Sequence, residues 1–141
     1  MRLRNVEDCF HLRLLRKIKP DRQKSRKSLD LSKKRLKRAQ EALKSDFLDF
    51  AILESYMAMF HAARALLYKD GIQEKNHYAI FLYLRERYAT KIPLRILNLF
   101  NLYRIERYET MYGLEYQPRR EDALSGIEDA KMFVREIEKN L

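Results

Sequence analysis

The sequence is poor in the residues that interrupt helices or cross-link loops. Its 141 residues include three Gly, three Pro, one Cys and no Trp. So few Gly and Pro, together with abundant Leu, Ala, Lys, Arg and Glu, favour an all-helical protein. The single cysteine, Cys9, cannot form an internal disulfide, which suggests a reducing compartment.

Other residue types and patterns are also missing, and their absence argues against phosphate loops, metal sites and membrane-spanning segments. A chain with three glycines has no Gly-rich phosphate loop. The three histidines, His11, His61 and His77, lack the spacing of zinc ligands, so no metal or cofactor is expected. No uncharged run reaches the roughly 20 residues that span a bilayer, and charges interrupt the N-terminal segment where a signal peptide is apolar. A cytoplasmic protein without a membrane partner is therefore expected.

The positive charge is confined to the first part of the chain. The net charge is +10; residues 1–45 hold sixteen Lys or Arg against five Asp or Glu, whereas residues 46–141 hold fourteen against fifteen. One predicted helix carries a basic cluster: Lys33, Lys34, Arg35, Lys37 and Arg38. Such a surface favours a nucleic acid or an acidic protein partner, although a solvated helix face explains the same pattern. No aromatic residue is interleaved for base stacking, so this helix is not expected to read a sequence.

One apolar segment is expected to form the centre of the fold. Residues 46–70 hold seventeen apolar residues between Phe47 and Tyr68, and neither Gly nor Pro, which is typical of a buried central helix. Asp46 is expected to cap this helix or lie in its first turn, and Gly71 to end it. Three polar residues of the helix share one narrow stripe: Glu54, His61 and Arg64.

The spacing of apolar residues predicts further helices around this centre. They are expected over 3–18, 29–44, 77–89, 94–112 and 121–140, with Asn76 capping the third and Pro93 opening the fourth. A mobile linker is expected over 19–28, and loops over 71–75 and 114–120. The expected architecture is an all-α, up-and-down bundle of five to six helices around the central helix 46–70. It forms one domain, 1–141, with a basic N-terminal helical extension 1–28.

The central helix also carries a recognisable signature. The pattern Y-x-A-x-F-x-A-A-x-A-L-L, followed by a Gly turn and a His, is matched by Tyr56, Ala58, Phe60, Ala62, Ala63, Ala65, Leu66, Leu67, Gly71 and His77. This run resembles the core signature of the HEPN family, particularly its small stand-alone members. The segment RYETMYG, Arg107–Gly113, resembles the Arg-containing element of the same family. The resemblance extends over about residues 30–140.

The resemblance implies a helical bundle that is often a dimer and often encoded with a minimal nucleotidyltransferase in a toxin–antitoxin pair. Active toxins of the family carry an Arg-x4–6-His element and cleave RNA without a metal. In such an element the Arg holds the scissile phosphate, and the His moves the proton of a 2′-hydroxyl. Here Tyr112 stands at the His position after Arg107, and a phenol with a pKa of about 10 is a poor general base at neutral pH.

Three functions remain open on this basis. The first is a HEPN-like protein of a toxin–antitoxin or nucleotidyltransferase pair that forms a homodimer and binds RNA, nucleotide or an acidic partner, with catalysis not expected. Its cleft residues are Arg107 and Tyr112, and its further binding residues are Arg104, His61, Arg64 and His77. The second is a metal-independent ribonuclease that combines Arg107 with His61 or His77. The third is a non-specific nucleic-acid-binding protein that uses the basic helix 33–38. An ion pair with Glu106 or Glu109 is the structural alternative for Arg107.

Overall fold

The computed structural model describes residues 3–141 as six helices and one small sheet. In chain order the elements are α1 (Val6–His11), β1 (Leu15–Lys17), α2 (Arg22–Lys44), α3 (Leu48–Asp70), β2 (Ile72–Glu74), α4 (His77–Arg87), α5 (Leu94–Tyr112) and α6 (Arg120–Glu138). The predicted all-α bundle is confirmed. Within residues 3–141, no helix is both long and apolar enough to cross a membrane.

The predicted central helix is α3, which packs against α2, α4, α5 and α6. It begins later than expected: Phe47 is its N-cap, and Asp46 lies before it at φ +59°, where its carboxylate forms an ion pair with Arg120. At the other end Gly71 adopts φ +77°, and a Cβ there would lie 2.6 Å from the carbonyl oxygen of Ile18. Only glycine combines this left-handed turn with such a close approach.

A row of three serines joins α2 to α3. The hydroxyls of Ser25, Ser28 and Ser32 donate hydrogen bonds of 2.6–2.7 Å to backbone carbonyls of α3, and all three residues are buried. Small side chains let two helix backbones approach closely, and the carbonyl acceptors satisfy the buried hydroxyls. The contact between α2 and α3 therefore starts before residue 29, the residue at which the sequence predicts that α2 begins.

The N-terminal segment differs from the predicted single helix over 3–18. The chain turns at Arg13, at φ +58°, directly after α1, and residues 15–17 then form β1. This strand pairs antiparallel with β2, with Leu15 opposite Glu74, so the loop predicted over 71–75 contains a strand. The helical spacing was misleading because it counted apolar residues on both sides of a left-handed turn.

The segment 19–28 is not the predicted mobile linker. Most of it is the first part of α2, which starts at Arg22, and the side chain of Asp21 accepts a hydrogen bond from the backbone N–H of Lys24 as the N-cap. An Asp directly before a helix is a start signal that outweighs the preceding proline. Upstream, Val6 and Leu15 are buried in the main core, so the basic N-terminal segment packs against the bundle.

The last three helices match their predicted bounds within two residues. Asn76 caps α4, because its side-chain oxygen accepts the backbone N–H of Ala79 at 3.0 Å. Pro93 is the N-cap of α5, and Gly113 follows its last residue. These boundaries make His77 the first residue of α4, where it faces α3 and lies near the second half of α5.

Candidate functional site

Two aromatic residues of α3 hold His77. The Tyr56 hydroxyl lies 2.7 Å from the Nδ1 atom of His77. The Phe60 ring stacks on the imidazole, with ring centroids 4.4 Å apart. Because one contact fixes the edge of the imidazole and the other fixes its face, the ring has a defined orientation.

Three arginines lie near this histidine, and each packs over an aromatic ring. Their guanidinium carbons lie 5.0–5.2 Å from the ring centroids in the pairs Arg107–Tyr56, Arg104–Tyr78 and Arg64–Phe60. Such a contact positions a guanidinium without neutralising its charge. Of the three, Arg64 also forms an ion pair, with its Nε 2.9 Å from Glu74.

The other two arginines keep their charge uncompensated. Within residues 3–141, neither Arg104 nor Arg107 has a carboxylate oxygen within 4.0 Å. The ion pairs of Arg107 with Glu106 or Glu109, considered from the sequence, are therefore not formed. The Nε atom of Arg107 is buried without a hydrogen-bond partner in the described part of the chain. A buried N–H without an acceptor is costly, which makes it a ready donor to a ligand.

His77 is a neutral hydrogen-bond donor in this environment. Burial, followed by the charges of Arg107, Arg104 and Arg64, lowers the pKa of His77 to about 4. Burial also raises the pKa of Tyr56, so the phenol stays protonated. That hydroxyl bonds no other acceptor within residues 3–141, and we therefore assign its proton to the bond with Nδ1. The imidazole then carries its own hydrogen on Nε2.

This arrangement suits the binding of an anion better than proton transfer. Charge-assisted hydrogen bonds from guanidinium to phosphate are about twice as strong as neutral ones. A general base at neutral pH works best with a pKa close to that pH, whereas the pKa of His77 is about 4. Within residues 3–141, no three His, Cys, Asp or Glu side chains converge as metal ligands would.

Comparison with known proteins places the chain in a family. The family model of the HEPN domain matches residues 25–140, a range that includes all of α3, α4 and α5 and hence every residue of this site. The chain belongs to the HEPN domain family. A protein of Methanocaldococcus jannaschii, named "Putative toxin MJ0605", is 29% identical to this HEPN chain over 119 residues, which cover 80% of the chain and 85% of the relative. The family predicted from the signature on the central helix is confirmed.

In this HEPN chain, Tyr112 lies apart from the arginines and the histidine. It is the last residue of α5 and is 62% exposed. Its ring packs against Tyr108, with centroids 5.0 Å apart. The two residues of the Arg107-x4-Tyr112 element thus occupy different environments, because the guanidinium lies over a buried ring and the phenol faces outward. A role of Tyr112 in the cleft stays a prediction.

His61 lies apart from this site and lines a groove between α2 and α3 with a volume of about 250 Å³. It is 8% exposed, and burial, followed by the charge of Arg64, lowers its pKa to about 4. Arg64 lies between this groove and the site around His77. It lines the groove, and it packs on Phe60, which stacks on His77. Of the two histidines proposed from the sequence as partners of Arg107, His77 is the one joined to it, through Tyr56.

Ion pairs neutralise part of the basic surface on α2. Lys33 lies 2.8 Å from Glu138, and Arg35 lies 3.0 Å from Glu54. The other three residues of the basic cluster are exposed: Lys34, Lys37 and Arg38. The surface available to a partner is therefore smaller than the sequence suggests.

The sequence alone does not identify the side chains that hold the site. Tyr56 and Phe60 belong to the family signature without an assigned role, and nothing in the pattern singles out Tyr78. A signal was present, since Tyr56, Phe60 and Arg64 recur every fourth residue and so share one face of α3. That stripe predicts an aromatic face with an arginine, but its contact with His77 depends on how α4 packs against α3.

Proposed function

We propose that this HEPN protein binds single-stranded RNA through a phosphate group held by Arg104, Arg107 and His77. One observation carries the proposal: two guanidinium groups without a carboxylate partner, in the part of the chain that the structure describes, lie near a neutral imidazole. The buried Nε of Arg107 needs an acceptor, and a phosphate oxygen supplies one. A free nucleotide shares this chemistry, but it binds more weakly because it offers fewer phosphates.

The affinity of an Arg107→Ala variant for RNA tests this proposal. Fluorescence anisotropy with a labelled, unstructured RNA oligonucleotide gives the Kd. Loss of hydrogen bonds to a charged group costs about 1.5–3 kcal/mol, so the Kd should rise about 10- to 150-fold. Arg95→Ala is the matched control, because it removes the same charge from an exposed position on the same helix. Its Kd should change less than about threefold. Equal Kd values for the two variants would refute the assigned site.

An exposed apolar face on α5 supports the homodimer expected for a HEPN protein. Four residues of this helix recur every three or four positions and are 50–62% exposed: Leu102, Ile105, Tyr108 and Tyr112. Single exposed apolar residues are ordinary, but a contiguous helical stripe marks a contact surface. We propose that the α5 of a second copy covers it. Because Arg104 and Arg107 lie on the same helix, the two phosphate sites would then be neighbours.

An Ile105→Glu variant tests the dimer. Light scattering coupled to size-exclusion chromatography should give a dimer mass for the wild type and a monomer mass for this variant, since a buried carboxylate opposes association. Leu124→Glu is the control, because Leu124 is exposed to the same extent, 51% against 50%, but lies on α6. It should leave the dimer intact. A monomeric wild type, or loss of the dimer in both variants, argues against this interface.

A toxin–antitoxin role is the biological setting that we propose. The relative in Methanocaldococcus jannaschii carries the name of a toxin, and this chain shares its family. The antitoxin would be a nucleotidyltransferase-type protein with an acidic surface, which the exposed basic residues of α2 would contact in the cytoplasm. Expression of this chain alone should arrest growth, and co-expression of the protein encoded beside it should restore growth. Unimpaired growth at a confirmed protein level would exclude the toxin role.

Metal-independent cleavage of RNA is the second candidate, because Tyr56 links His77 to Arg107. In this reaction the arginine would stabilise the charge on the phosphorane. His77 would act as the other tautomer, whose Nδ1–H donates to the Tyr56 oxygen, so that Nε2 can accept the proton of the 2′-hydroxyl and then pass it to the leaving group. An assay in EDTA with labelled RNA separates the candidates. Binding without cleavage supports the first function. Cleavage that is lost in His77→Ala but retained in His61→Ala supports the second.

A further inference from the structure

A groove beside the phosphate site is lined by amide and guanidinium groups. It has a volume of about 470 Å³, and its lining residues are Leu3, Asn76, Tyr78, Asn101 and Arg104. None of these residues is acidic. Arg104 belongs both to this groove and to the proposed phosphate site, so the two places adjoin.

Internal hydrogen bonds determine which atoms of the two amides remain for a ligand. The Oδ1 atom of Asn76 accepts the backbone N–H of Ala79 at 3.0 Å, as the N-cap of α4. The Oδ1 atom of Asn101 accepts the Nε–H of Arg104, also at 3.0 Å. Each bond requires an oxygen at that position, so the NH2 group of each side chain is free to donate, and its oxygen keeps one lone pair.

The guanidinium of Arg104 adds donors in a fixed geometry. Its Nε is bound to Asn101, and its plane packs over the Tyr78 ring at 5.0 Å. Its two terminal NH2 groups have no carboxylate partner within residues 3–141. The free N–H groups of these side chains therefore outnumber the free acceptors, which are one lone pair on each amide oxygen and the Tyr78 hydroxyl.

Among the nucleobases, guanine matches this set of donors best. Its O6 and N7 atoms form an edge of two adjacent acceptors, which a guanidinium binds through two parallel hydrogen bonds. Adenine places the N6 amino group beside N7, cytosine presents the N4 amino group, and uracil presents the O4 acceptor without a second acceptor beside it. Either amino group would set a donor against the donors of the groove. The groove volume of about 470 Å³ is sufficient for a purine base, and Arg107 lies three residues after Arg104 on α5.

We propose that this groove is a nucleobase subsite that selects guanine next to the bound phosphate. The inference rests on the proposed RNA binding and adds a base preference to it. Arg107 contributes affinity for any RNA, because a phosphate is common to all nucleotides. Asn101 and two of the four terminal N–H donors of Arg104 contribute the discrimination between bases, and the other two N–H donors of Arg104 remain for the phosphate. The basic surface of α2 contributes no discrimination between bases, because contacts to phosphates carry no sequence information.

Two labelled RNA pentamers, UUGUU and UUAUU, test the subsite by fluorescence anisotropy with the full chain. The wild type should bind UUGUU at least about fivefold more tightly, the lower end of the discrimination that one bidentate base contact gives. Asn101→Asp keeps the acceptor for Arg104 but replaces the NH2 group with an oxygen, which repels O6 and accepts the adenine amino group. Its preference for UUGUU should disappear or invert. The control Asn98→Asp adds the same charge at an exposed position of α5 and should keep the preference.

The outcomes separate this inference from the proposed function. Equal wild-type affinity for the two pentamers overturns guanine selection and leaves RNA binding standing. A guanine preference that survives Asn101→Asp overturns the assignment to this groove. Arg107→Ala should weaken the binding of both pentamers and preserve their ratio, and loss of the ratio would refute the division into a phosphate site and a base subsite. Failure of the wild type to bind either pentamer overturns the proposed function and the inference with it.

Discussion

Acid should destabilise this protein through His61 and His77. Burial lowers the pKa of each imidazole from 6.5 to about 4 in the folded chain, with a smaller contribution from the nearby arginines. In the unfolded chain both return to about 6.5. Between pH 6.5 and 4, the unfolded state therefore binds more protons than the folded state. The stability due to the neutral imidazoles is complete above pH 6.5 and is lost as the pH falls through this window.

The size of the effect follows from the two pKa values. At pH 5 each histidine is almost fully protonated when unfolded and about nine-tenths neutral when folded. The slope of stability against pH is then at most about 1.4 kcal/mol per pH unit for each histidine. The whole interval from 6.5 to about 4 corresponds to about 3.4 kcal/mol for each. Both rings retain some contact with solvent, which screens the charge, so we expect about 3–4 kcal/mol for the pair together.

Urea denaturation at pH 7, 6.5, 5.5 and 5 measures the free energy of unfolding across the part of the window in which most carboxylates stay ionised. The double variant His61→Gln/His77→Gln should lose most of the slope, because neither replacement titrates. His11→Gln is the control, since His11 is exposed, and it should keep the wild-type slope. Comparing slopes makes the test independent of any difference in stability at pH 7. Identical slopes in the wild type and the double variant would refute the reasoning.

The remaining predictions concern single contacts. Tyr56→Phe removes the donor to His77 Nδ1 and should lower the free energy of unfolding by about 1–2 kcal/mol; imidazole ¹⁵N shifts should also lose the pure Nε2–H signature. Ser32→Ala should cost about 1 kcal/mol in urea denaturation, because a buried hydroxyl no longer binds α3. Gly71→Ala should cost about 2 kcal/mol or more, since its φ is +77° and the added Cβ meets a backbone oxygen. The double variant Lys34→Ala/Arg38→Ala should reduce the log–log salt slope of RNA binding by up to about 1.4 if both residues contact phosphates. An unchanged slope would leave this surface to a protein partner.

The predictable part of the fold rests on local signals. Asn76 caps a helix because its short side chain reaches the backbone N–H three residues later, and this is visible in the sequence. Pro93 opens α5 and Gly71 closes α3 for equally local reasons, namely a fixed φ and a permitted left-handed turn. The apolar run of α3 predicts that this helix is buried, whichever helices pack against it. These signals together were sufficient to predict five to six helices and the central position of α3.

The features that were missed depend on contacts between distant segments. The pairing of Leu15 with Glu74 joins two three-residue strands, and strands of that length carry no pattern of their own. Two serines of the row, Ser25 and Ser28, were missed because they lie in the segment 19–28, which the sequence predicts to be a linker. Only the packing on α3 shows that Ser25 and Ser28 point inward.

The candidate site also has a part that the sequence predicts and a part that depends on contacts between distant segments. Arg107 was selected from the sequence because it lies in a family element, and the structure gives it an environment free of carboxylates within residues 3–141. His77 was one of two alternatives, and no spacing rule could favour it over His61. The choice depends on Tyr56, which lies on α3 and contacts both His77 and Arg107. A residue that connects two others across three helices becomes visible only when the helices are packed.

The way in which these arginines are held favours binding over catalysis. A carboxylate partner would also fix a guanidinium, but it would cancel the charge, as it does for Arg64. Aromatic rings from α3 and α4 instead fix Arg107 and Arg104 and leave their charge available to a phosphate. Side chains ordered before binding lose less conformational entropy when the ligand arrives, so the bound state gains affinity. Cleavage would require His77 to accept a proton near neutral pH, yet the same burial and the same arginines stabilise its neutral form. The features that would strengthen the proposed phosphate binding are therefore the ones that weaken the imidazole as a base.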